Sequence, residues 1–330
     1  MSFADLVART WRKHVLFAAH LELGYQCNLD CHFCYNDRAR QGPTLSIDEW
    51  LGVLDALADM QVFTVTLSGG EPMVNPGFFA IGAHARARGF VVRVKTNGQT
   101  LRDDVVERLV GEVAPYLVEV SLHGATASTH DRQTRVAGSF ARLMENLSGA
   151  RERVRMQLNV PLTLWNEHEL EAMLDLGRQL GVPVRVDPEV TPRDDGDRGP
   201  LAIAPSPAGL RRWARALPAV VTSPPASVDS DAEKHCGAGS ASLLIDPFGD
   251  VMPCVQWRKR IGNVRHAPLA ELWRSPALDE VRSTLVAVRR DLGPCVDHCP
   301  GIALALTGDA RGETPQEAGR RAARALPVLQ

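Results

Sequence analysis

From residue 15 to about residue 190, apolar stretches suited to strands alternate with amphipathic stretches suited to helices. No other property of the chain narrows its fold as much. Strands are predicted at 15–23, 62–67, 90–95, 117–122, 156–162 and 182–186, with helices at 47–60, 76–88, 102–113, 140–154 and 167–180. Ser46 before the first of these helices and Gly181 after the last are start and stop signals. Such alternation argues for an α/β fold of parallel strands joined by right-handed crossovers. Six units suffice for a partial (β/α)6 TIM-like barrel and fall short of the eight that close a full one. Reactive groups in such folds gather at the C-terminal ends of the strands.

The remaining length implies a second, smaller unit. A chain of 330 residues suggests two domains, and 45% hydrophobic with 23% charged residues is an ordinary globular balance. We expect a helical lead-in at 1–14, the barrel at 15–215, a linker at 216–235 and a C-terminal domain at 236–330. Residues 188–230 are rich in Pro, Gly, Ser and Asp, with a short helix expected around 210–217, and the Ala/Arg-rich stretch 316–326 is a further helix candidate. A formal net charge of −2 gives no bulk electrostatic case for nucleic acid or a membrane surface. The opening Met1-Ser2-Phe3-Ala4-Asp5 lacks a signal-peptide pattern, and no apolar run reaches spanning length. A soluble, cytoplasmic protein is expected.

Directly after the first strand comes Cys27-Asn28-Leu29-Asp30-Cys31-His32-Phe33-Cys34. Thiolates in this C-x3-C-x2-C spacing can bind three irons of a 4Fe-4S cube, which normally takes four ligands. The fourth iron is then open to another molecule. A zinc loop or an ordinary ferredoxin-type cluster are the alternatives. Structural zinc uses paired C-x2-C units with a fourth ligand, and the ferredoxin run keeps a fourth cysteine in or near it. Here the next cysteine is Cys236, about two hundred residues on. Seven cysteines in all, three near the N-terminus and Cys236, Cys254, Cys295 and Cys299 later, suggest one open cluster and one closed site rather than a disulfide framework.

The second strand ends in Leu67-Ser68-Gly69-Gly70-Glu71-Pro72. Its glycines let backbone approach a ligand closely, and Glu71 offers an acceptor for an ammonium group. Together with the cysteine loop and the aromatic Phe33 before Cys34, this segment resembles the radical S-adenosylmethionine enzymes over essentially the whole chain. The resemblance implies that S-adenosylmethionine chelates, through its amino and carboxylate groups, the iron that Cys27, Cys31 and Cys34 leave open. One electron from the cluster would then release methionine and a 5′-deoxyadenosyl radical that takes a hydrogen atom from the substrate. It also implies cofactor contacts from Gly69, Gly70, Glu71, Pro72 and Phe33. Asn97 in Thr96-Asn97-Gly98 and Ser121 in Ser121-Leu122-His123-Gly124 are expected near the adenosyl and ribose or methionine groups. His123 departs from the family's usual aspartate, so its role is left open between catalysis and a hydrogen-bonded strand end. Arg135, in a basic stretch with Asp131 and Arg132, is a candidate partner for the methionine carboxylate or for a solvated salt bridge.

The later cysteines follow a similar logic. Pro247–Asp250 reads as a turn between two apolar runs, a hairpin that brings Cys236 and Cys254 together. With Gly262-Asn263-Val264 and Cys295-Val296-Asp297-His298-Cys299 the order resembles the SPASM or shortened twitch extension, which carries auxiliary iron–sulfur clusters. Zinc held by four thiolates is the alternative. Thr307-Gly308-Asp309 resembles maturases of the pyrroloquinoline quinone and mycofactocin type, but the further cysteine of full SPASM domains is missing. One auxiliary iron-sulfur cluster is therefore expected, on all four cysteines, with Asp297 or His298 as substitute ligands.

The resemblance implies oxidative modification or crosslinking of a ribosomally made precursor peptide. A separate leader-recognition protein and a flavodoxin or ferredoxin reductant are the implied partners. The alternative is radical oxidation of a small molecule, by an aminoglycoside-type alcohol dehydrogenase or a tetrapyrrole side-chain oxidase.

Overall fold

The structure, a computed structural model, describes residues 9–216, 236–293 and 298–324. Six parallel strands lie side by side in chain order: β1 (Ala18–Glu22), β2 (Thr64–Ser68), β3 (Val91–Thr96), β4 (Leu117–Ser121), β5 (Met156–Pro161) and β6 (Val184–Asp187). Each forms where the alternation predicted, because one face of the strand is apolar and packs under the helices. Leu21, Val65, Leu67, Val94, Val118, Val120, Leu158 and Val160 are wholly buried there. The other face carries polar residues into the open interior.

The crossovers are α1 (Ile47–Asp59), α2 (Phe78–Ala87), α3 (Asp103–Arg108), α4 (Ala127–Thr134), α5 (Ser139–Ala150) and α6 (Leu170–Leu180). Ser46 caps α1 in a reciprocal box: its hydroxyl accepts the Glu49 N–H, and Glu49 accepts the Ser46 N–H at 2.8 Å. Trp50, Val53, Leu54 and Leu57 form its buried stripe. Gly181 ends α6 in the left-handed region. The helix α3 runs on into a π-helical turn, Leu109–Val113.

The C-terminal segment does not start a sheet of its own. Strand β7 (Ser242–Ile245) pairs in parallel with β1, and β8 (Asp250–Met252) and β9 (Gly262–Asn263) follow antiparallel, giving nine strands in one sheet among the described residues. The expected Pro247–Asp250 turn links β7 to β8. After α7 (Pro207–Ala216), the later helices are α8 (Leu269–Leu272), α9 (Pro276–Leu292), α10 (Pro300–Thr307) and α11 (Pro315–Arg324), with α11 packed on α7. Most of the expected lead-in, all of the expected linker beyond Ala216, and the candidate ligands Cys295 and Asp297 lie outside the described residues. Among the described residues no helix is long and apolar enough to cross a membrane.

Candidate active site

The loop after β1 is gripped on three sides. On the first, the glycines of the β2 end lie flat on it: Gly70 N donates to Gly24 O (2.7 Å) and Glu71 N to Gln26 O (2.9 Å). A β-carbon on Gly70 would fall 2.3 Å from Gln26 O; one on Gly69, whose φ is +126°, would fall 2.3 Å from Gly24 O. On the second side, Asp30 N and His32 N donate to Thr134 O and Gln133 O at the end of α4. On the third, Arg193 donates from Nη1 to Cys34 O (3.1 Å) and from Nη2 to His32 O (3.2 Å).

This frame turns Cys27, Cys31 and Cys34 onto one wall of a cavity of about 380 Å³ at the C-terminal ends of the strands. Phe33, Gly69, Gly70, Asn97, Ser121 and His123 share that cavity. The Cys27 sulfur accepts the Leu29 N–H (3.4 Å) and Asn97 Nδ2–H (3.6 Å). Burial pushes all three thiols up, Cys31 further through the neighbouring Cys34 and Cys27. Thiols so buried, whose thiolates would repel one another, lose their protons only beside a cation, which cluster iron would supply. Among the described residues no three His, Cys, Asp or Glu side chains converge as one bound ion requires. A cube asks for something different, since its thiolates bind separate irons. Asn36 Oδ1 and His123 Nδ1, both on residues lining the cavity, are buried without partners, which suits a polar ligand. The residues present therefore fit an iron–sulfur cube with a polar molecule beside it.

Three expectations shift on this geometry. Glu71 does not line the cavity: its carboxylate accepts from Asn97 N (2.7 Å), Thr96 Oγ1 (2.9 Å) and Met73 N (3.2 Å). Burial pushes that carboxyl up to about 7 against those donors. Glu71 thus ties β2 to β3, and the backbone of Gly69 and Gly70 is what faces the cavity. Pro72 opens the short 3-10 turn Pro72–Val74 and is buried off the cavity wall. Arg135 lies outside the cysteine loop, donating to His32 Nδ1 (2.6 Å) and Asp30 Oδ2 (3.4 Å). His123 lies in a stack of rings, Phe33–His123–His130–Phe140, with centroids 5.1 to 5.6 Å apart. Its backbone N–H donates to His130 Nδ1 (3.2 Å), and burial, then His130, keep its ring neutral.

A second group of thiols forms beyond β8. Cys236, Cys254 and Cys299 adjoin: burial pushes Cys236 up to about 12, with Cys254 and Cys299 adding to the rise, and Cys299 to about 11. Cys236 and Cys254 pack on Ala238, Trp257, Val281 and Leu285. The chemistry of this set fits a thiolate-bound cluster. His298 is not positioned to replace a thiolate. Its Nδ1 bonds Glu317 Oε2 (3.0 Å) and its Nε2 bonds Ala310 O (2.6 Å), so both ring nitrogens are engaged.

The two cysteine groups are joined by a buried hub that the sequence did not suggest. Glu22, 0% exposed at the end of β1, accepts two bonds from Arg258 (2.8 and 2.9 Å) and one each from Tyr25 (3.1 Å) and Tyr35 (3.0 Å). Arg258 also meets Asp194 at 3.1 Å. Tyr35 follows Cys34 directly, and Arg258 lies four residues after Cys254. A charged residue closing an apolar strand was the one available signal for Glu22.

Residues 21–177 match the Radical SAM superfamily, and residues 236–300 match SPASM, an iron-sulfur cluster-binding domain. Mycofactocin maturase MftC of Mycobacterium ulcerans is 32% identical over 77% of this chain and 76% of its own length. AdoMet-dependent heme synthase of Methanosarcina barkeri is 25% identical over 89% of this chain and 94% of its own. PqqA peptide cyclase of Gluconobacter oxydans is 28% identical over 89% and 88%. The chain spans 62% to 76% of the length of the mycobacterial maturases it matches.

Proposed function

The chain belongs to the radical SAM superfamily, and from that premise we propose that it is an enzyme that oxidatively modifies or crosslinks a ribosomally made peptide. The observation that carries this reading is the shared cavity: three thiols, the Gly69–Gly70 backbone, Asn97 and Ser121 around one space. Cys27, Cys31 and Cys34 would hold a 4Fe-4S cluster there, and Cys236, Cys254, Cys295 and Cys299 an auxiliary cluster. Such a cluster supplies the electron that splits S-adenosylmethionine into methionine and a 5′-deoxyadenosyl radical. The protein's part is orientation. Gly69 and Gly70 would bring backbone to the cofactor, Asn97 donates to the Cys27 sulfur, and Ser121 and Phe33 would bound the same space.

Peptide as substrate is supported by the likeness to PqqA peptide cyclase and mycofactocin maturase. A separate leader-recognition protein and a flavodoxin or ferredoxin reductant belong to the same proposal. So does a cytoplasmic setting, which suits the six described cysteines, all free. The likeness to AdoMet-dependent heme synthase favours a second reading, oxidation of a tetrapyrrole side chain.

Anaerobically reconstituted protein, reduced and given S-adenosylmethionine, decides between them. Peptides encoded beside its gene should raise 5′-deoxyadenosine formation and return with a changed mass. A gain with porphyrin carboxylates, and none with those peptides, would replace the first reading with the second.

A further inference from the structure

Below the cofactor residues the barrel interior is polar, and the buried carboxylates of Glu22 and Glu119 are matched. Glu22 is held by Arg258, and Glu119 by Arg93 (3.0 Å) and Asn159 (3.1 Å). Two cations are left over. Lys95 on β3 and Arg185 on β6 are both exposed and both line the cavity, and neither makes an ion pair or hydrogen bond among the described residues. Lys95 stands opposite Glu119 in the strand register, but that carboxylate is turned to Arg93 and Asn159. Arg185 stands opposite Asn159, which stands opposite Ser121.

Depth separates Lys95 from the cofactor residues. It sits two residues before Asn97, which follows the end of β3, and so roughly 7 Å further into the barrel. Three strand steps separate Lys95 from Arg185, roughly 14 Å of backbone, and both long side chains project into the space between. A cation left unmatched on a cavity wall is suited to a ligand anion, because a charge-assisted hydrogen bond is stronger than a neutral one and directional. The barrel also keeps His20 neutral, through burial and then Lys95, Arg258 and Arg93, so His20 adds no competing charge.

Resting on the peptide reading above, we propose that the substrate segment entering the barrel is acidic, with its carboxylates received by Lys95 and Arg185. The site recognises by placement and not by overall field, because Asp187 and Glu189 also line the cavity, where Asp187 Oδ1 accepts the Glu189 N–H (3.0 Å). An acid must therefore reach the two cations to gain anything. Arg185 suits a planar, two-pronged carboxylate contact and Lys95 a point contact.

The test uses the reconstituted full chain with S-adenosylmethionine and two matched hexapeptide pools. One pool carries Asp and Glu with free C-termini; the other carries Asn and Gln with amidated C-termini. Retained peptides are counted by mass spectrometry after gel filtration. The acidic pool should be retained roughly tenfold over the neutral pool, the worth of one charge-assisted bond. Lys95→Met and Arg185→Met should each cut that ratio several-fold, while Lys95→Arg should keep most of it. Equal retention of the two pools, or an acid preference untouched in both Met variants, overturns the proposal. So does loss of S-adenosylmethionine from Lys95→Met with the peptide ratio unchanged, which would give the ammonium to the cofactor. Failure of the peptide reading looks different: neither pool is retained by the unmodified protein. Glutarate and glutaramide then decide. A preference for glutarate that Lys95→Met removes keeps the carboxylate site without the peptide, and no preference ends both.

Discussion

A β-carbon on Gly70 would sit 2.3 Å from Gln26 O and 2.7 Å from Tyr25 O, so any side chain there must push the cysteine loop off the end of β2. Both obstacles are backbone, which yields far less readily than a side-chain tip. Gly70→Ala should therefore cost about 1–3 kcal/mol in stability, as overpacking does. It should also lower the iron bound at the first site, read by iron assay and by the electron paramagnetic resonance of the reduced protein. A variant with unchanged iron and melting temperature would show that the loop is not held by this contact. The Glu71 side chain teaches a related lesson. Its place beside two glycines suggests a ligand, but its three hydrogen-bond donors come from Met73, Thr96 and Asn97. Sequence adjacency points to the motif, and the structure turns the backbone of its glycines, not the Glu71 carboxylate, toward the cavity.

Among the elements, the residues joining β1 to the segment after β8 form a buried ion-pair network. Arg258 is 17% exposed in its side chain and Glu22 0%. Arg258→Met would leave the buried Glu22 carboxyl short of its cation, an effect of about 3–5 kcal/mol. The denaturation midpoint should fall with its slope unchanged, and adding Glu22→Gln should recover part of the loss. Independent, additive losses would mean the pair is not coupled. The six barrel strands were legible because each has an apolar face at period two, and their ends moved by only a few residues: β3 is Val91–Thr96 against an expected 90–95. The helix α4 was not legible. Ala127-Ser128-Thr129-His130-Asp131-Arg132-Gln133-Thr134 has no apolar stripe to betray it, although its last two carbonyls hold the cysteine loop. Nor could the pairing of β7 with β1 be read, since local pattern carries no register between residues over two hundred apart. Lys95 and Arg185 were hidden likewise: only the folded sheet shows that both lie on its inner face.

Across the whole molecule, the two groups of thiols should load independently, because each has its own cysteines even though the Glu22–Arg258 hub links their surroundings. Cys31→Ala and Cys254→Ala should each remove only their own share of the iron, and the double variant nearly all of it. In reduced Cys254→Ala, S-adenosylmethionine should still alter the remaining resonance spectrum. In Cys31→Ala it should alter nothing. Identical iron loss in both single variants would point to one shared centre. The pairing of β7 with β1 has a further consequence, one of timing. When the first strand leaves the ribosome, the neighbour on its open edge is still more than two hundred residues away. At roughly 5–20 residues per second, that edge waits about 10–45 s for the partner that closes it. An unpaired edge is a template for aggregation throughout such an interval. Production of this chain should therefore respond strongly to translation speed and to chaperones that shield a nascent strand.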